Sequence, residues 1–486
     1  MKIFIRNISY LLLIVSSITL SAQTVKVTPA GETNFELQKG SRHINFTHNG
    51  NTYFISKYTQ DMLTTFQVRI FGPDGDLIHA SNPKINPGVF NNTYSYHDIF
   101  PFGDKIYVSI EHLDKKAGKN SLVLRSVSEG GIVSKEEVEA LNFPYEKMMN
   151  TGNNYVSVSP DGKTLAVAGE YPFEKDQPSK VKVTLYDQAL KKIKEEVITL
   201  PGEDKRFSEI KVVAGNDGVV YLLKKVKEKA EGTSLNVYQW SSSAAGKLKD
   251  YIISAGEPGH VMTYATAINP ENELIISGTY AKGKYPGDKI DGIFFFNNNN
   301  MTDGVMKSFL LDKPVDNLVA QKVLINGNTV FLASEQFKEE RPANNTAGTG
   351  TSLTDMNYIM KDNYIFAMDT EGNKKFQTIL AKDFAPRLHN QMHQTGYFIV
   401  NDKLTALYND EARKYNAGAS TGTLMPVLVQ ITNDGLMQSP VLLTTAVGVP
   451  NYYIVYPAYI NQTKPNEISV FSGNREVFQN LIIQVD

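Results

Sequence analysis

The sequence predicts an all-β fold, a propeller of four-stranded blades, and three observations carry that prediction. A strand, a tight turn and a second strand recur along the chain at intervals of roughly 60 residues. A further alternating strand with its own turn signal precedes each unit, so each repeat resolves into four strands, A to D. The spacing stays even throughout, with no Pro-rich or Ser-rich linker dividing it. Self-similarity at this period marks a stacked or closed array of small sheets.

The C-to-D turns read FGPDGDLI at Phe71, SVSEGGIV at Ser126, LYDQALKK at Leu185, WSSSAAGK at Trp240, FNNNNMTDG at Phe296, MDTEGNKK at Met368 and ITNDGLMQ at Ile431. The A-to-B turns are HNGN at His48, FGD at Phe102, SPDG at Ser159, GNDG at Gly215, NPEN at Asn269, NGN at Asn326, VND at Val400 and TKPN at Thr463. Asn, Asp and Gly tolerate positive φ and therefore suit tight hairpins. The B strands that follow, such as KIYVSIE from Lys105, TLAVAGE from Thr164 and ELIISGT from Glu273, are rich in β-branched and aromatic residues. C strands such as SLVLRSV from Ser121 behave alike.

Eight A-to-B turns face only seven C-to-D turns, because the chain ends on a C strand, VFQNLIIQVD. The strand-like TVKVTP from Thr24 and NFELQ from Asn34 can supply the missing fourth strand. An N-terminal strand joining three C-terminal ones would close the ring and remove exposed edges. Eight blades are therefore favoured over seven. The competing architectures are two smaller β-domains, or a sandwich followed by a barrel, with Ser81–Asn92 as a longer connector.

Residues 1–22 read as a cleaved signal peptide: Lys2 and Arg6, an apolar run from Tyr10 to Leu20, and the small-residue exit Leu20, Ser21, Ala22. The apolar run is shorter than the roughly 20 residues that span a bilayer, so a transmembrane segment is not expected. The expectation is export to the periplasm or the extracellular space, with residues 23–486 forming one propeller domain. There is no cysteine, hence no disulfide, thiolate metal site or cysteine nucleophile. Loss of Lys2 and Arg6 leaves 47 basic residues against 51 acidic ones, a net charge of −4. Nucleic acid is not an expected partner, since the most basic run, KKVKEKAEG from Lys224, alternates its signs.

In a propeller the A-to-B and C-to-D turns emerge on one face and the B-to-C and D-to-A connections on the other. The first set here is compact. The second includes HLDKKAGKN from His112, YPFEKDQPSK from Tyr171, AKGKYPGDKI from Ala281, DEARKYNAGASTG from Asp410 and, longest, Gln336–Lys361. Long loops gathered on one face point to binding. At that face the B strands end in Lys57, Glu111, Glu170, Lys224, Thr279, Glu335 and Asp410, with Tyr58, Tyr171, Tyr280 and Tyr408 beside them. Tyrosine with mixed charge suits polar ligands and protein surfaces. For each residue alone, a solvated strand end is the simpler account.

Four of the eight histidines, His43, His97, His260 and His393, fall near the starts of A strands, around the mouth of the central channel. Ligands must lie about 2.0–2.1 Å from a metal, and histidines on distant blades cannot converge, so neither a metal nor another cofactor is expected. Only His43 with His97, or His389 with His393, has a spacing that permits pairing. No GxSxG, HExxH or GxxxxGK[ST] motif occurs, and AGTGTS at Ala347 lacks the following lysine. No catalytic residue is assigned. The binding candidates are Glu111, Glu170, Tyr171, Tyr280, Glu335, His393, Tyr408 and Asp410. The single tryptophan, Trp240, reads as packing at the end of a C strand.

The segment Ser157–Glu170, SVSPDGKTLAVAGE, resembles the SPDGK strand-turn-strand signature of the WD40-like, TolB-type propeller repeat. It covers one blade; the others keep only a turn between alternating strands. As a whole the chain resembles the uncharacterised exported β-propellers of Gram-negative envelopes, among whose leaders the exit LSAQ is common. That resemblance implies a rigid scaffold that binds envelope or extracellular proteins or glycans, and it transfers no catalytic residue. The alternative is a carbohydrate-active hydrolase or lyase using paired carboxylates on the loop face.

Overall fold

Strands alternate with turns from Val25 to Val485. The computed structural model describes residues 25–486 except 34–41, 61–62, 83, 86–91, 129, 148, 203–208, 229–231, 244–247, 257–258, 285–286, 300–305, 341–356, 383–393, 416–423, 444–453 and 474–477. The expected leader and the strand expected at Asn34 thus lie outside the described residues.

The described strands form eight consecutive antiparallel units: Arg42–Ser81, Asn92–Pro144, Asn153–Thr199, Glu209–Ile253, Gly259–Asp316, Leu318–Leu380, Gly396–Leu442 and Ile454–Val485. Numbered as blades 1 to 8, the first seven carry four main strands each and the last carries three. Blades 4 and 5 also share two parallel pairs, Gly232 with Gly259 and Thr233 with His260, which merge their sheets. Blade 8 takes its fourth strand from Val25–Thr33, antiparallel to Phe478–Val485, with Val25 opposite Val485 and Thr33 opposite Phe478. The ring therefore closes as the strand count predicts, by the start of the chain pairing with its end.

Burial follows position within the blade. B strands lie between neighbouring sheets and are buried on both faces: Leu165–Glu170 and Glu467–Gly473 are buried at every residue. Outer D strands such as Lys192–Thr199 carry Lys and Glu along the edge, which protects it from pairing with other chains; Ile198 turns inward while Ile193 and Val197 stay exposed. Apolar clusters bridge successive blades, for example Val183 and Ala168 against Val220 and Trp240. The closing seam is aromatic: Phe54 and Phe71 of blade 1 meet Tyr456, Phe471 and Phe478 of blade 8. Phe471 and Phe478 stack there with centroids 5.1 Å apart. Trp240 packs as expected, 1% exposed, with its indole N–H donated to Glu196 at 3.1 Å. Between blades 2 and 3 the sheets approach so closely that a Cβ on Gly169 would lie 2.5 Å from Leu141 and from Phe143, so only glycine fits.

All eight A-to-B turns fall where the sequence places them. At Asn49-Gly50, φ values of 48° and 77° suit a type I′ hairpin. Asparagine side chains stitch this face from blade to blade. The Asn272 side chain accepts the Asn216 N–H at 2.7 Å and donates to the Asn216 carbonyl at 3.1 Å. Asn326 donates to the Asp402 carbonyl at 2.8 Å, and Asn401 to the Val485 carbonyl at 2.6 Å.

The opposite face is less loop-rich than the sequence suggests. Strands Lys105–Asp114 and Lys119–Val127 take up most of the segment from His112, leaving a four-residue turn. Strands Thr329–Glu340 and Asn357–Met368 likewise invade Gln336–Lys361, leaving 341–356, outside the described residues. Long hairpins satisfy backbone groups that a loop would leave to water, so the pairing continues past the sheet proper.

Candidate functional site

A strands, the innermost of each blade, wall the central channel, and two cavities open along it. The one toward the compact turns, about 580 Å³, is lined by His48, Phe102, Ser159 and Asp161 among others. The one toward the B-to-C loops, about 730 Å³, is lined by residues of blades 2 to 6, including His97, Asn154, Tyr155, Lys211, Lys225, Met262 and Tyr264. Asp98 and Val156 line both cavities and so mark the waist between them.

Local backbone irregularity aims side chains into the upper cavity. The A strands of blades 2, 5 and 6 each slip register by one residue, at His97, Met262 and Gln321. Such bulges bend a strand and redirect one side chain. A B-strand hydroxyl fills two of the irregularities. Ser109 accepts the Asp98 N–H at 3.2 Å, and Thr279 accepts the Thr263 N–H at 3.3 Å while pairing with the Thr263 hydroxyl at 2.7 Å.

Blade 4 supplies the cations. Lys225 donates to the Met262 carbonyl at 2.5 Å and Lys211 to the Thr266 hydroxyl at 2.9 Å. Lys211 also lies over the Tyr264 ring, 5.7 Å from its centroid. The Lys211 side chain is exposed to the lumen, yet the surrounding strands strip part of its hydration, and this desolvation lowers its pKa. Lys322 of blade 6 is in the same condition and donates to the Tyr397 carbonyl at 2.8 Å.

The acidic residues expected on this face are held between strands and blades. Glu111 accepts from Asn120 at 2.9 Å and from Asn154 of the next blade at 3.0 Å, with His97 Nε2 at 3.8 Å. Burial raises its pKa, but the bonds from His97, Asn120 and Asn154 outweigh burial and hold the carboxyl below its ordinary value. Glu170 accepts from Asn153 at 2.9 Å and from the Tyr155 hydroxyl at 3.1 Å. Glu335 is 0% exposed and pairs with Lys382, also 0% exposed, at 2.7 Å. Burial raises the Glu335 pKa despite the lysine. Asp410 is buried and accepts from Lys414 at 2.8 Å and from the Tyr415 hydroxyl at 2.9 Å.

Of the tyrosines, Tyr280 and Tyr408 are each 2% exposed, and burial raises both phenols, Tyr408 to about 12. Tyr171 is half-buried and stacks on Phe143 with centroids 5.4 Å apart. Lys224 is buried and donates to the Ser179 hydroxyl. The Tyr58 and His43 side chains, and all of His389 and His393, lie outside the described residues. His260 is held by the Thr233 hydroxyl at 3.2 Å and the Gly283 carbonyl at 3.1 Å. Among the described residues no group of three or more His, Asp or Glu could hold a metal ion. Nor is any described helix long and apolar enough to cross a membrane.

The structure thus brings His97 and Glu111 together with Asn154 and distributes the other acidic candidates over separate blades. The lumen residues Tyr155, Lys211, Lys225, Met262 and Tyr264 are not marked by strand-end reasoning. For Lys211 and Tyr264 the signal in the sequence is a polar residue at alternate positions of an A strand, as in EIKVVA from Glu209 and VMTYATAI from Val261, whereas Lys225 lies on the B strand Val219–Glu228.

No family model and no curated protein matches the chain. Among solved structures it is similar to a prolyl endopeptidase, with 12% identity and a TM-score of 0.36 over 85% of this chain, which spans 55% of that one. It is similar to the β-propeller domain of the Trilobed protease from Pyrococcus furiosus, with 10% identity and a TM-score of 0.38 over 86% of this chain and 98% of that one. It is also similar to the WD40 domain of SCAP from fission yeast, with 9% identity and a TM-score of 0.38 over 93% and 97% of the two chains. Likeness at this level says nothing of activity.

Proposed function

We propose that this chain is an exported binding scaffold, in the periplasm or outside the cell, whose partner, an envelope or extracellular protein or glycan, engages the channel mouth on the B-to-C face. The observation that carries this reading is the division of labour at that face. Its conspicuous carboxylates are engaged in contacts within and between blades, while an open cavity of about 730 Å³ presents lysine, tyrosine, histidine and amide groups. A concave site with a few polar groups on a rigid frame is suited to binding.

The hydrolase or lyase alternative has less support. It calls for two carboxyl groups about 5–10 Å apart beside a bound sugar. Glu335 and Asp410 are buried and hydrogen-bonded, on blades 6 and 7, and Glu111 and Glu170 are held by asparagines on blades 2 and 3.

The test is a pull-down from envelope extract with the mature protein and with a variant lacking 341–356, the part of the longest loop that no described strand occupies. The scaffold reading expects a specific partner whose recovery falls in the variant. Equal recovery would remove that loop from the binding face.

A further inference from the structure

We infer that Asn49, in the first A-to-B turn, is a site of spontaneous covalent modification: its side chain closes on the backbone nitrogen of Gly50, loses ammonia and ends as aspartate or isoaspartate. This goes beyond the scaffold reading and does not depend on it.

The dipeptide Asn-Gly occurs twice in the chain, at Asn49 and at Asn326, each time within the same tetrapeptide, Asn-Gly-Asn-Thr. Both copies lie in A-to-B turns, of blades 1 and 6, but one residue out of phase. In blade 1 His48 pairs with Asn51, so Asn49 and Gly50 form the turn. In blade 6 Asn326 itself pairs with Thr329, as the last residue of its strand. The phase decides what each side chain reaches. Asn326 donates to the Asp402 carbonyl at 2.8 Å and to the Asn433 side chain at 3.0 Å, both on blade 7. Asn216, Asn272 and Asn401 likewise commit their side chains to neighbouring blades. Asn49 is exposed, and among the described residues its amide has no partner.

The reaction needs little else. The Gly50 nitrogen, having lost its proton, attacks the side-chain carbonyl carbon of Asn49; the new C–N bond closes a succinimide and the amide nitrogen leaves as ammonia. Water then opens the ring at either carbonyl, which gives aspartate or, with the backbone routed through the side chain, isoaspartate. Glycine in second place leaves the nitrogen unhindered, since a Cβ on Gly50 would meet nothing nearer than Pro73 at 3.6 Å. Gly327 is as open, with nothing within 4 Å, so the glycine does not distinguish the two copies. The held amide does, because Asn326 must give up two hydrogen bonds to react. Asn49 stands at φ 48°, where an L-residue is under steric strain, so little returns it there once the turn opens. The product places a carboxylate on the turn face, opposite the channel mouth.

The experiment is a peptide-mapping time course by mass spectrometry on the folded mature full chain, with the same chain in denaturant alongside. In the folded protein the acid form should accumulate at Asn49 on the order of tenfold faster than at Asn326, whose amide two hydrogen bonds hold. In denaturant the two copies should react at similar rates. The rate at Asn49 should rise with pH, because the attacking nitrogen must lose a proton, and the product should contain isoaspartate as well as aspartate. N433A, which removes one acceptor of the Asn326 amide, should narrow the gap without changing the rate at Asn49. Equal rates at the two copies in the folded protein, a faster rate at Asn326, or aspartate without isoaspartate would overturn the inference.

Discussion

The two faces of the ring are stabilised differently. At the turn face, neutral asparagines bond backbone groups of successive turns, as Asn272 does with Asn216 and Asn326 with Asp402. At the channel-mouth face the links between blades are charged or buried. They include Glu111 with Asn154, Lys322 with the Tyr397 carbonyl, and Asn409, which donates to the Val455 carbonyl at 2.7 Å and accepts its N–H at 3.1 Å. Neutral links on exposed turns are individually weak and replaceable. Buried ones fix the relation of one blade to the next.

The contrast breaks most readily at the Glu335–Lys382 pair. Lys382→Met leaves Glu335 buried without its cation and should cost about 3–5 kcal/mol in denaturant unfolding at pH 7. Burial already raises the Glu335 pKa, so the cost should be present above the ordinary carboxyl range and shrink as pH falls and the group is protonated. A loss that does not depend on pH would deny the buried carboxylate its role. Asn409→Ala orphans two backbone groups of the eighth blade and should cost about 2–3 kcal/mol.

Glu111→Gln should cost about 1–2 kcal/mol at neutral pH. The folded pKa of Glu111 is depressed, so its contribution is complete above the unfolded carboxyl pKa and is lost as pH falls through the folded value. The variant should accordingly show a flatter acid limb than the wild type. On the turn face, Asn272→Gly keeps the positive φ of 64° and removes only the side-chain bonds, for about 1 kcal/mol or less. If that change proved as costly as Asn409→Ala, the faces would not differ in the way described.

Much of the ring is legible in the sequence because it is local chemistry. The Asn-Gly, Asp-Gly and Asn-Asp turns at Asn49, Asp161 and Asn401 mark hairpins, and counting them leaves blade 8 one strand short. That deficit points to the N-terminal segments from Thr24 and Asn34, of which Val25–Thr33 makes the pairing. The site is less legible. Glu335 and Asp410 read as solvated strand ends because one-dimensional alternation cannot show that a neighbouring blade covers them. The bulges at His97 and Met262 also break the period of two that assigns a side chain to the lumen, so the lining of the channel emerges only from the paired strands.

The proposed binding belongs to the channel mouth and not to the compact turns. It is tested most directly by partner recovery from envelope extract with K211Q/K225Q beside a turn-face variant, K163Q/E371Q. Recovery should collapse for the lumen variant and match wild type for the turn-face one. Equal recovery by both, or loss confined to the turn-face variant, would contradict it.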